Sequence, residues 1–231
     1  MRKARYIVYI LIGCVVLYVS YRIFVPWKTR HEISKTLSSK DYMDRLAIFD
    51  DKYIDSNSIV FLGNSLIANF DLEQFNNPHT VNRGISGDFT EGVIKRMNGI
   101  INKHPKKIFI EIGINDLVEK VPLGTIAHNY DTILQKISVV SPQTKVYIFS
   151  LLPTKLHRSI LTSAANVNKR VVKFNAILAK FPKKYHCTYI DTWSHFVTKD
   201  NSMDTKVTTD GIHLTEEGYK IWRNLITDLV N

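Results

Sequence analysis

A chain of 231 residues is long enough for one full-sized domain with its own core and leaves little for a second. Hydrophobic residues at 45% and charged residues at 23% are ordinary globular proportions, with no fixed-period repeat and no low-complexity tract. The net charge of +10 argues poorly for nucleic acid, because the first 30 residues hold six basic and no acidic side chains, leaving 25 basic against 21 acidic in the rest.

The first element is apolar. Three basic residues (Arg2, Lys3, Arg5) precede an uncharged run from Tyr6 to Tyr21, which continues through Ile23, Phe24 and Val25 to Trp27 if Arg22 snorkels. Sixteen helical residues reach about 24 Å against a hydrocarbon core of about 30 Å, so the extension to Trp27 makes a span. Tyr6 and Tyr9 at one end, and Tyr18, Tyr21 and Trp27 at the other, fit interfacial aromatic belts. The rival is a cleaved leader, to which Tyr18-Val19-Ser20 is a poor match, while Leu11-Ile12-Gly13-Cys14 resembles a lipoprotein cleavage box. The expectation is an uncleaved membrane anchor over 1–27, a juxtamembrane linker and leading helix over 28–56, and a globular domain over 57–231. Lys28 and Arg30 nearly balance the N-terminal charges, but a short basic N-terminus ordinarily stays cytoplasmic. The globular part is then extracytoplasmic. The two cysteines, Cys14 and Cys187, form no disulfide framework or metal spacing.

After a helix around Lys40–Asp51, short apolar runs alternate with longer helical segments. The runs 58–62, 107–112, 145–152 and 187–191 are nearly continuous and rich in Ile, Val, Phe and Tyr, as strands covered on both faces are; 79–84 is a weaker fifth. Helix-length segments lie at 89–102, 125–140, 164–181 and 215–230. This alternation predicts an α/β fold, a three-layer α/β/α sandwich around a parallel sheet of about five strands. Ligands of such sheets bind at the carboxyl ends of the strands.

Four stretches stand at those ends: "FLGNSL" with Ser65, "NRGISGD" with Gly84, "EIGINDL" with Asn115, and "TTDGIHLTEEGY" with Asp210 three residues before His213. Singly, each has a plain structural reading. Ser65 could cap the next helix, Asn115 and Asp116 could form a turn, Asp210-Gly211 is a turn signal, and a lone histidine is more often structural. Turn chemistry does not, however, predict a serine, an asparagine and a histidine at convergent strand ends.

Together these blocks resemble the SGNH (GDSL-type) hydrolase family over roughly 57–231, supported by "SLLPT" after the fourth strand and the helix carrying Asn168 and Asn175. The resemblance implies a flavodoxin-like SGNH fold, Ser65 as nucleophile, His213 as base and Asp210 as the carboxylate orienting it. It also implies an oxyanion hole made by the backbone N–H groups of Ser65 and Gly84 and the Asn115 amide. An unassisted serine needs such a base, and the tetrahedral intermediate needs such donors. The commoner motif is Gly-Asp-Ser, and Asn64 replaces the aspartate here. No cofactor, metal or nucleic acid is expected; the partners are the membrane and an ester-bearing small molecule, glycan or lipid. His104, His128, His186 and His195 read as structural or solvent-facing, Trp193 and Trp222 as core, and His157 with Arg158, just after the fourth strand, as the exceptions that border the pocket. The expected activity is serine-dependent ester hydrolysis removing a short, acetyl-like group from a glycan or other cell-envelope molecule. Alternatives are acyl transfer to a sugar by the same triad, a lysophospholipase, and a binding module that has lost turnover.

Overall fold

A computed structural model describes residues 13–15, 26–51, 53–155 and 163–231. The anchor expected over 1–27 lies outside the described residues except at 13–15 and 26–27, and among the described residues no helix is long and apolar enough to cross a membrane. His157 and Arg158 also lie outside them.

Two helices lead into the domain, α1 over 26–37 and α2 over Lys40–Asp51. The sheet follows, with β1 (Ile59–Gly63), β2 (Thr80–Gly84), β3 (Lys107–Glu111), β4 (Lys145–Phe149) and β5 (Cys187–Ile190) in the order β2-β1-β3-β4-β5, all parallel. Between and after the strands come α3 (Ser65–Ala68), α4 (Thr90–Arg96), α5 (Asn98–Ile101), α6 (Ile114–Val118), α7 (Leu123–Val140), α8 (Ala164–Leu178), α9 (Trp193–Phe196) and α10 (Glu216–Val230). The expected strands and long helices are all present. The segment expected as one helix over 89–102 is two short ones that meet at Met97. The fourth strand stops at Phe149 because Ser150 turns to Thr192, accepting its N–H on Oγ at 2.9 Å and its hydroxyl on the carbonyl at 2.6 Å.

β1 and β3 are buried along their whole length, which is why their sequences do not alternate. Their even positions (Val60, Leu62, Ile108, Ile110) face a core closed by α4, α5, α7 and α8 through Val93, Met97, Tyr130, Ile133, Val171 and Phe174. Their odd positions face α3 and α10 through an aromatic layer, Phe61 stacked on Phe109 at 4.8 Å and Phe109 on Tyr147 at 4.5 Å, with Trp222 fully buried behind. Trp193 is half-buried at the rim of the other core. The two cores make the three layers. The chain leaves β1 toward β2 on one side and returns to β3 on the other, so a crevice opens at the carboxyl ends of β1 and β3 where the strand order reverses.

Candidate active site

Ser65 begins α3 directly after β1. The cap is Asn64, not the serine: the fully buried Asn64 accepts the Leu66 N–H on Oδ1 at 2.8 Å. Asn caps a helix as well as Asp does, so the departure from Gly-Asp-Ser keeps the local geometry and leaves the Ser65 hydroxyl unspent. Gly63 is required by crowding, since a Cβ there would lie 2.0 Å from the Glu111 carbonyl oxygen.

The histidine comes from the other end of the chain. Thr208 and Leu214 form an antiparallel bridge, and Gly211 takes φ +92° at the tip of the loop between them. Asp210 organises this loop, its Oδ1 accepting the N–H groups of Ile212 at 3.0 Å and His213 at 2.9 Å. Its Oδ2 meets His213 Nδ1 at 2.7 Å. That contact puts the imidazole proton on Nδ1, and the free Nε2 lies 2.9 Å from Ser65 Oγ as its acceptor. Burial pushes the Asp210 carboxyl up, but the backbone N–H groups of His213 and Ile212 and the His213 ring outweigh it and hold it at about 2. α10 starts with Thr215 capping Gly218 N at 3.3 Å, and the Tyr219 hydroxyl reaches the Leu66 carbonyl at 2.9 Å. The helix that follows His213 is thereby tied to the helix that Ser65 begins.

Asn115 stands on α6 at the end of β3 and donates from Nδ2 to the Asp88 carbonyl at 2.9 Å. An amide has a second N–H, which remains for the cleft. Gly84 does not stand beside it as expected. Its N–H donates to Asn82 Oδ1 at 2.9 Å, and a Cβ there would lie 2.2 Å from Ala68 N, so its bareness serves packing against α3. The glycine next to Asn115's partner is Gly87, at φ +77° in a turn closed by Asp88 N donating to the Ile85 carbonyl at 3.1 Å. A third turn position with positive φ wants glycine. Among the described residues the Gly87 N–H has no acceptor. "NRGISGD" contains both glycines; the signal for the second was the Asp directly after it, a side chain able to fix the turn.

Three buried acids surround these residues; the sequence offered Asp116 only as a turn former and did not single out Asp88 or Glu111. Asp88 accepts Phe89 N at 2.8 Å, Tyr42 Oη at 3.1 Å and Arg96, whose guanidinium also donates to the carbonyls of Arg83 and Gly63 at 2.8 and 3.0 Å. Asp116 accepts the Thr90 hydroxyl at 2.6 Å and the Thr90 N–H at 3.1 Å, and burial pushes it up to about 7. Glu111, fully buried beneath Asn64, has neither carboxyl oxygen hydrogen-bonded. Burial pushes it up to about 8, with the Asn64 amide opposing. The neutral acid therefore prevails near neutral pH. His104, His128, His186 and His195 are exposed and apart from this cluster. Among the described residues no three His, Cys, Asp or Glu side chains gather as a metal site.

A family profile for GDSL-like lipases and acylhydrolases matches residues 59–221, which takes in all of these residues except those of α1 and α2. The chain belongs to that family. It is accordingly a GDSL-like carboxylic ester hydrolase. Over 169 residues it is 29% identical to human platelet-activating factor acetylhydrolase IB subunit alpha2, covering 70% of each chain. In fold, this GDSL-like chain is similar to a GDSL-like lipase from Bacteroides thetaiotaomicron (TM-score 0.71, 21% identity, 81% of this chain and 96% of that one). It is also similar to the acetylxylan esterase of Geobacillus stearothermophilus (TM-score 0.62, 12% identity, 77% and 95%).

Proposed function

We propose that the chain hydrolyses short-chain, acetyl-like esters through an acyl-enzyme on Ser65, acting on a glycan or other cell-envelope molecule. The carrying observation is the unbroken Ser65–His213–Asp210 row, with contacts of 2.9 and 2.7 Å. In this reading His213 Nε2 takes the Ser65 proton as Oγ bonds the ester carbon, then gives it to the departing alcohol as the C–O bond breaks. Water, deprotonated by the same nitrogen, releases the acid and frees Ser65. Asp210 keeps the proton on Nδ1 and steadies the imidazolium. The N–H groups of Ser65 and Gly87 and the Asn115 amide receive the oxyanion; Gly87 takes the part that Gly84, spent on Asn82, cannot.

Support for a short acyl group comes from two sources. The names of the human relative and the Geobacillus enzyme both specify acetyl groups, one on a lipid and the other on a glycan. We further propose that the apolar run over 1–27 anchors the protein with its hydrolase domain extracytoplasmic. The support is the span length and the aromatic belts.

The test follows hydrolysis of p-nitrophenyl esters from acetate to dodecanoate by the full chain in detergent, against Ser65→Ala. Activity that peaks at acetate and disappears in the variant is expected. Activity equal in the two proteins overturns the serine reading, and a peak at long chains overturns the short-acyl one.

A further inference from the structure

The turn that carries Gly87 is held from outside as well as from inside. Arg96 and Asn115 grip its inner side. Its outer side lies against α1 and α2, which precede the segment shared with the family. Arg45 Nε donates to the Gly84 carbonyl at 3.2 Å, one residue before the turn. The buried Tyr42 donates its hydroxyl to Asp88 Oδ1 at 3.1 Å, at the turn's last residue. Thr36 closes the remaining side, its methyl 3.3 Å from where a Gly87 Cβ would stand. Leu37 and the Tyr42 hydroxyl crowd Gly92, just beyond, so that a Cβ there would lie 2.8 and 2.7 Å from them.

The collar is itself fastened to the domain. Arg83 donates to the Phe49 carbonyl at 3.1 Å, and Arg83, Arg45 and Arg96 surround the Phe49 ring at 4.8, 5.3 and 5.8 Å from its centre. Thr29 on α1 donates to the Glu119 carbonyl at 2.8 Å, at the far end of the Asn115 helix. α1 and α2 therefore touch two of the three backbone segments from which the proposed oxyanion donors project, those of Gly87 and Asn115.

We propose that α1 and α2 belong to the working site, with Tyr42 and Arg45 as positioning residues that hold the Ile85–Asp88 turn so that the Gly87 N–H and the Asn115 amide converge on one point. The inference rests on the serine-esterase reading above. Its chemistry is that of preorganisation: donors help in proportion to how little they must move when charge develops on the ester oxygen. Neither side chain touches substrate; both act through the turn. The collar also continues directly from the apolar N-terminal run, so the segment joining the domain to that run is the one bracing the oxyanion turn.

The experiment measures kcat per reactive serine. Full-length wild type, Tyr42→Phe, Arg45→Gln, Arg45→Lys and the exposed-site control Lys173→Gln on α8 are titrated with a fluorophosphonate and assayed on p-nitrophenyl acetate. For Tyr42→Phe and Arg45→Gln, kcat per titrated serine should fall about 10- to 100-fold, the scale expected of a small misplacement transmitted from outside the chemistry. KM should stay within about twofold, because the turn is asked to act on the transition state. Arg45→Lys recovers part of the loss, since an ammonium can still donate to the Gly84 carbonyl. Lys173→Gln behaves as wild type. If the variants only lose folded protein, the number of titratable serines drops while kcat per serine is unchanged, and the proposal is overturned. Arg45→Lys no better than Arg45→Gln overturns the assigned hydrogen bond. A wild type whose Ser65 resists the phosphonate overturns the serine reading and this one with it.

Discussion

The two walls of the cleft are built in opposite ways. On one side Asn64, Asp88 and Asp116 are at most 2% exposed, and the peptide groups around them are tied to three helices and two strands. On the other, the side chains of His213 and Asp210 are 37% and 54% exposed and are organised mainly by their own loop. In the proposed mechanism the contrast follows from what each wall does. Oxyanion donors must be in place before charge appears, so their wall is rigid and dry. A base that takes a proton, returns it to an alcohol and then activates water has to remain reachable from solvent.

The largest expected effect strikes the exposed wall. Asp210→Asn keeps a side-chain oxygen for the N–H groups of Ile212 and His213, so the loop should persist, but it no longer fixes the proton on Nδ1. A fall in kcat of about 10⁴-fold is expected, the scale for a triad carboxylate replaced by its amide. A loss below tenfold would mean that Asp210 only shapes its loop. On the buried wall, Asn115→Ala removes one of three donors and should lower kcat by about 10²–10³-fold with little change in KM. A change confined to KM would make Asn115 a substrate contact instead.

The smallest effect sharpens the contrast through pH. Glu111, raised from 4.5 to about 8 by burial, binds its proton more tightly folded than unfolded. Its contribution is complete below the unfolded value of 4.5 and is lost as pH rises toward 8, so stability declines across that window. Asp210 runs the other way: its folded value is depressed, so its contribution is present above 3.8 and is lost as pH falls toward 2. Glu111→Gln, which keeps the shape without the ionisation, should flatten the decline. Thermal melts at pH 5 and pH 8 will show it, with the variant's advantage over wild type larger at pH 8. Equal differences at both values would place the ionisation of Glu111 outside the folding equilibrium.

Most of this architecture could be read from the residues. The continuous runs at 58–62 and 107–112 announced buried parallel strands, and four short blocks announced where they open. Ser65, His213 and Asp210 come together in one hydrogen-bonded row, as the family resemblance of those blocks implied. Gly84 was misplaced because two glycines three residues apart look alike in one dimension; only the Asn82 side chain, folded back onto Gly84 N, separates them. Glu111 was hidden inside a strand-like run, since β periodicity shows that a position is buried and says nothing of whether an acid there finds a partner. The collar was invisible for a related reason. Tyr42 and Arg45 sit in a polar, amphipathic segment that carries no motif, and their importance lies wholly in the turn they touch some 40 positions further along.

Ser65 and His213 are separated by 148 positions, and the loop of the histidine is secured by α10 through Tyr219 on the Leu66 carbonyl. During synthesis Ser65 emerges long before His213. A growing chain that already contains all five strands still has an inert serine, and remains so until α10 leaves the ribosome and docks. In the proposed mechanism the enzyme is thus born silent and acquires its chemistry only after its whole sheet has been made. The same order applies in reverse to damage: loss of α10, whose Trp222, Ile226 and Val230 are buried against the sheet, removes the anchor of the histidine loop and part of the core together.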